Sequence, residues 1–253
     1  MERTTPCRRL FWIGTLLLVT LAAGCGGQAT APGRPTVVLD GETEAVGIPI
    51  EEADGFITLR AHLFGGQNEV AVILSHMRPN DQTAWFEFAQ ELADEGYAVL
   101  TFDFRGYGES DGDQDFDKLD EDLSAALQFM RRDRGKETVF LIGASMGGTT
   151  SLVVAAGEDA AGVVTISAPA QFEDQDALSV IPNVIEPTLL IASEEDTQAM
   201  LSLQELLDAT GQSAESETYA GNLHGTNLFQ SEGEHADAIR QRIFRFLREH
   251  AGS

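Results

Sequence analysis

The feature that most restricts the fold of this chain is a repeated exchange between two hydrophobic patterns. Short continuous apolar runs recur along it: Val70 to His76, Tyr97 to Phe102, Thr138 to Ile142, Gly162 to Ser167 and Thr188 to Ala192. Other stretches carry an apolar stripe at helical spacing. Trp85 to Glu95 sets Phe86, Ala89 and Ala93 on one face with Phe88 and Leu92 beside them, and Gly96 closes the segment. Residues 116–132 turn Leu119, Leu123, Ala126, Leu127 and Met130 inward, and Met146 to Ala156 reads as a third helix. The last, from His235 to His250, buries Ile239, Ile243, Phe246 and Leu247. A continuous apolar run is what a strand covered on both faces looks like, so the exchange predicts an α/β fold with a mostly parallel sheet between two helical layers. Phe56 to Phe64 alternates instead, as a half-exposed strand does, and Glu217 to Tyr219 adds a final strand. No internal repeat or second domain is visible, and 253 residues suffice for one well-buried domain.

In a sheet of this kind, residues that handle ligands lie just beyond the carboxyl ends of the strands. Ser145 meets that condition. The run Val139 to Ile142 turns at once through Gly143-Ala144-Ser145-Met146-Gly147-Gly148 into a helix. A serine on so sharp a strand-to-helix turn exposes its oxygen at the sheet edge, and the flanking glycines relieve the crowding. The free N–H groups of the helix start, Met146 N–H among them, point at the same place. Serine needs a base, and His224 lies in the loop between the last strand and the last helix. The base needs a carboxylate to orient it. Ser193-Glu194-Glu195-Asp196 follows the strand Thr188 to Ala192, and spacing favours Asp196, with Glu195 in reserve.

These residues together resemble the α/β-hydrolase superfamily: the Gly143 to Gly148 turn, then Asp196, then His224-Gly225. Phe102-Asp103-Phe104-Arg105-Gly106-Tyr107-Gly108-Glu109-Ser110 is similar to the segment after that fold's fourth strand. The likeness covers about residues 55–250 and is nearest to small esterases and to dienelactone-hydrolase-like or serine-aminopeptidase-like members. It implies the α/β-hydrolase fold and a nucleophilic Ser145 served by His224 and Asp196. It also implies an oxyanion hole made by the backbone N–H groups of Met146 and Arg78, the latter in Ser75-His76-Met77-Arg78. Met77 stands where the superfamily commonly has glycine, so Met77 N–H is the alternative donor, and His76 reads as structural. The Gly106-Tyr107-Gly108 sequence also suggests a dinucleotide loop, but Asp111 occupies the place of the third glycine.

Between Ala168 and Pro187 there are only about twenty residues, room for a loop and one short helix but for no substantial lid. An open site suits small soluble esters. Trp85 and Phe86 are candidates either for a substrate pocket or for packing beneath the first helix. The 16 lysines and arginines against 41 acids give a formal charge of −25, which argues against nucleic acid as a partner. The five histidines have no metal-ligand spacing and both cysteines lie in the first 25 residues, so no metal or organic cofactor is expected.

Those first residues read as targeting. Arg3, Arg8 and Arg9 precede an apolar run from Leu10 to Ala23, and Ala22-Ala23-Gly24 leads to Cys25. Leu21 to Cys25 resembles the lipobox of bacterial lipoproteins, which implies cleavage before Cys25 and diacylglycerol on its sulfur. Residues 26–35, rich in Gly and Pro, read as a flexible tether. The expected organisation is a signal peptide over 1–24, lipidated Cys25 and tether over 25–35, and a hydrolase domain over 36–253. The domain would then be extracytoplasmic and attached to a membrane.

Overall fold

A computed structural model of the chain describes Met1 and residues 43–53, 55–210, 214–230 and 235–252. The leader, Cys25 and the tether lie outside the described residues. In chain order the elements are β1 (Thr43–Glu52), β2 (Gly55–Phe64), β3 (Ala71–Ser75), α1 (Phe86–Asp94), β4 (Ala98–Phe102), α2 (Leu119–Gln128), β5 (Val139–Ala144), α3 (Met146–Ala155) and β6 (Gly162–Ile166). A small hairpin follows, β7 (Gln171–Phe172) with β8 (Gln175–Asp176), and one turn of helix, α4 (Ala177–Val180). Then come β9 (Thr188–Ser193), α5 (Thr197–Ala209), β10 (Glu215–Tyr219), α6 (Asn227–Gln230) and α7 (Ala236–His250).

Eight strands form one sheet in the order β1-β2-β4-β3-β5-β6-β9-β10. β2 runs antiparallel to both of its neighbours, and every pairing from β4 to β10 is parallel. This is the mostly parallel α/β-hydrolase arrangement that the sequence implied. The apolar runs are continuous because side chains of one strand enter two cores. Ile73, Leu141 and Leu190 join a core beneath α2, α3 and α5. Their neighbours Leu74, Ile142 and Ile191 join another, built with Trp85, Phe88 and Phe246 of the α1 and α7 side. Such two-sided burial fixes register strongly, since a one-residue slip would exchange the faces.

The segment after β4 is tied down by charge. Arg105 is buried and donates twice to Asp122 of α2, with Glu52 of β1 and Glu121 also against its guanidinium. Arg105 N–H donates to the second oxygen of the same carboxylate at 2.8 Å. Gly108 there has φ +50 and lies so close to Asp103 that a Cβ would come within 2.2 Å of its carboxylate oxygen. The Gly106-Tyr107-Gly108 segment is thus a structural turn.

Two of the longer elements were not anticipated. β1 carries Gly47 and Pro49, poor strand formers that an edge position tolerates. α5 sets Ala199, Met200, Leu203, Leu206 and Leu207 on one face at helical spacing, with Leu201 alone exposed on the other side. The helix expected over 116–132 opens as a 3-10 turn at Phe116–Lys118 and ends as a wider turn over Phe129–Asp133. The stretch before β9, expected to hold one short helix, also holds the β7–β8 hairpin.

Candidate active site

β5 delivers Ser145 at the carboxyl edge of the sheet with φ +46 and ψ −116. A positive φ with this ψ is sparsely populated by residues with a Cβ and costs on the order of 1–3 kcal/mol, so the surroundings must hold it there. They do. Ser145 N–H donates to Ile166 O at 2.8 Å, and Ser145 O accepts from Gly148 N–H and Thr149 N–H at 2.9 and 3.0 Å. The glycines are required by close approach. A Cβ on Gly143 would sit 2.2 Å from Gly147 O, and one on Gly147 would sit 2.4 Å from Ser75 O. Although Ser145 precedes α3, its side chain does not cap that helix. Its hydroxyl is turned to His224 instead.

The three residues singled out in sequence meet here. His224 Nε2 lies 2.8 Å from Ser145 Oγ, and His224 Nδ1 lies 2.5 Å from Asp196 Oδ2. A carboxylate can only accept from Nδ1, so Nδ1 carries the hydrogen and Nε2 is left to accept from the serine hydroxyl. The other oxygen of Asp196 accepts from Ala199 N–H at 3.3 Å and so caps α5. Glu194 and Glu195 are exposed, and the backbone N–H of Glu195 donates to Gly221 O at 2.9 Å. Ser145 is half-buried, while 41 % of the His224 side chain is exposed, so the pair is open to solvent.

The loop around His224 is held by contacts that sequence reasoning missed. Ser193 Oγ donates to Leu223 O at 2.6 Å, Gly225 N–H donates to Ser167 Oγ at 3.0 Å, and Asn80 Nδ2 donates to Thr226 Oγ1 at 3.2 Å. Ser193 ends β9 and Ser167 follows β6, so position just at or after a strand was the signal available for both. His235 and His250, set aside in the sequence, stay away from this constellation: one ring lies beside Tyr219 and the other beside Phe246.

The loop after β3 passes beside the elbow. His76 is fully buried, and burial pushes its pKa down from 6.5 to about 4, so it is neutral at pH 7. Phe104 N–H donates to its Nε2 at 3.1 Å, which leaves Nδ1–H to donate to Met77 O at 3.1 Å. His76 thereby links the loop to the segment after β4, a structural task. At the loop's far end Gln82 N–H donates to the buried carboxylate of Asp103 at 2.8 Å. Met77 turns its sulfur toward Gly225, where a Cβ would come within 2.4 Å of it. The guanidinium of Arg78 lies over the Phe116 ring, 5.2 Å from its centroid. Met146 opens α3, so its N–H belongs to the first turn, where no intrahelical acceptor exists. Trp85 is wholly buried beside Phe88 and Phe229, and Phe86 packs on His62 and Phe64, which makes both of them core rather than pocket.

A serine hydroxyl bonded to an imidazole that a carboxylate orients, on the turn of an α/β sheet, defines the class of α/β-hydrolase-fold serine hydrolases. Residues 66–214 match the model of the family Serine aminopeptidase, S33, and the chain belongs to that family. It is 27% identical over 145 residues to the uncharacterized protein YfhR of Salmonella typhimurium, covering 56% of this chain and 47% of that relative. The chain thus spans about half the length of the curated relative it matches. Among solved structures it is similar to the esterase Pf2001 of Pyrococcus furiosus, with TM-score 0.67 at 20% identity over 82% of this chain and 93% of that one. The α/β hydrolase GrgF of Penicillium sp. sh18 gives TM-score 0.70 at 17% identity, covering 83% of this chain and all (100%) of that one. XC6422 of Xanthomonas campestris, described as an α/β serine hydrolase without lid, gives TM-score 0.62 at 20% identity over 87% and 97%. At such identities these structures establish the fold.

Proposed function

We propose that this chain is a lipid-anchored, extracytoplasmic carboxylesterase working through an acyl-enzyme. The observation that carries the reading is the hydrogen-bond chain from Asp196 through His224 to Ser145 on a strained turn. Ser145 Oγ attacks the ester carbonyl as His224 Nε2 takes its proton, and Asp196 offsets the charge on the imidazole. The carbonyl oxygen, now anionic, accepts from Met146 N–H and Arg78 N–H. The intermediate collapses, and the leaving alcohol takes the proton from His224. Water, deprotonated by His224, then attacks the acyl group and releases the acid and Ser145 Oγ–H. None of these steps calls for a metal or an organic cofactor.

The short passage from β6 to β9, the half-buried Ser145 and the exposed face of His224 favour small soluble esters over long buried acyl chains. The lidless description of XC6422 agrees with that choice. The serine aminopeptidase family name favours a second reading, cleavage of an N-terminal amide by the same three residues. Labelling with a fluorophosphonate, followed by mass mapping, should place one adduct on Ser145; an unlabelled folded protein would sink both readings. A panel of p-nitrophenyl esters and aminoacyl p-nitroanilides then separates them, the esters being expected to turn over faster. The anchor rests on the leader and Cys25. Replacing Cys25 by Ser should move the protein from the membrane to the soluble fraction.

A further inference from the structure

Two consecutive residues at the end of β6 bond to Ser145 and to the residue after His224. Ile166 O accepts from the backbone N–H of Ser145 at 2.8 Å. The next residue, Ser167, is buried, and its Oγ accepts from the N–H of Gly225, the residue after His224, at 3.0 Å. Ser167 has φ +54, a left-handed conformation that glycine adopts freely and serine does not. Its own N–H continues the ladder to β9 by donating to Ile191 O at 2.8 Å. A serine held in this conformation supplies the one thing glycine lacks there, an acceptor oxygen aimed at the histidine loop.

The placement of that bond gives it a consequence. Leu223 O belongs to the peptide unit before the His224 Cα, and Gly225 N–H belongs to the unit after it. Ser193 holds the first at 2.6 Å and Ser167 holds the second. Fixing both planes fixes the backbone angles of His224, and with them the direction of its Cα–Cβ bond. Asp196 then has only the two side-chain torsions to set. Gly225 has little room to drift, since it has φ +57 and packs on the sulfur of Met77.

We infer that Ser167 is a positioning residue for His224, holding the imidazole at bonding distance from Ser145 through the Gly225 N–H. The inference rests on the reading of Ser145 and His224 as nucleophile and base. Ser167→Gly and Ser167→Ala test it, because both remove the acceptor while only glycine also relieves the strain. The glycine variant should therefore melt higher than the alanine variant. Both should lose about tenfold in kcat on a neutral p-nitrophenyl ester, with KM within about twofold, and label with fluorophosphonate about tenfold more slowly. If Ser167 served stability alone, activity would follow melting temperature and glycine would recover it. Either variant within twofold of wild type in kcat and labelling rate overturns the inference while leaving the hydrolase reading intact. A wild-type protein that neither labels nor turns over any ester overturns both.

Discussion

Asp196 performs two tasks with one carboxylate, and substitution can separate them. Its Oδ2 faces His224 Nδ1 at 2.5 Å, whereas its Oδ1 caps α5 through Ala199 N–H at 3.3 Å. Asparagine caps a helix as well as aspartate does, so Asp196→Asn should leave stability within a few tenths of a kcal/mol. It removes the charge that orients and stabilises the imidazolium, a change that typically lowers kcat by about 10⁴. Asp196→Ala removes both contacts. Its kcat should fall as far, and the lost cap should cost about 1 kcal/mol, or about 2–4 °C in Tm for a domain of this size. Glu195→Gln alters an exposed side chain and should change kcat by less than about twofold. Turnover of p-nitrophenyl butyrate and a thermal melt on each variant complete the comparison. An Asp196→Asn enzyme keeping more than about a tenth of its kcat, or a Glu195→Gln enzyme losing activity with it, would refute the assignment of the acid.

Two other expectations concern the frame around the site. His76 titrates near 4 when folded against 6.5 in the ordinary case, because burial disfavours its charged form. The unfolded chain takes up the proton first as the pH drops. Stability is therefore complete above pH 6.5 and declines between pH 6.5 and about 4, by about 3 kcal/mol from this group. Urea unfolding at several pH values should show that decline, and His76→Asn should remove its share of it. Gly147→Ala would drive a Cβ to 2.4 Å from Ser75 O and 2.8 Å from His76 O, backbone atoms that cannot turn aside. It should destabilise by more than about 2 kcal/mol, whereas Gly157→Ala, with its nearest neighbour at 3.9 Å, should change stability by less than about 1 kcal/mol.

The parts of this molecule that were legible in its sequence are those decided by local pattern. The turn that carries Ser145 was legible because a strand, a glycine-flanked turn and a helix are adjacent in the chain. The approach of Asp196 and His224 to it was legible because each follows a strand, which in a parallel sheet places them at the same edge. β1 escaped because Gly47 and Pro49 blur its pattern, whereas the stripe of α5 is regular and was legible, with only the exposed Leu201 off its face. Ser167 and Ser193 escaped for a different reason. Position at or just after a strand marks both, but their hydroxyls bond to backbone atoms of a loop that only the fold brings near, so their partners are not written in the flanking sequence. The same holds for Met77, whose sulfur lies against Gly225 where the superfamily commonly has a glycine.

The distribution of these contacts follows from where each of the three residues is mounted. β5, β6, β9 and β10 are successive neighbours in the sheet, about 5 Å apart, so groups at their ends are held by the ladder itself. Ser145 follows β5 directly and Asp196 comes three residues after Ser193 ends β9. Both inherit the sheet's rigidity. His224 lies five residues past Tyr219, the last residue of β10, in a loop with no ladder of its own. That loop is where Ser193, Ser167 and Asn80 place their hydrogen bonds, at Leu223, Gly225 and Thr226 on either side of His224. A catalytic group on a loop reaches the accuracy of one on a strand only if the backbone on each side of it is bonded to strands. The serines at the ends of β6 and β9 provide those bonds, and the left-handed backbone at Ser167 is the conformation that aims one of them.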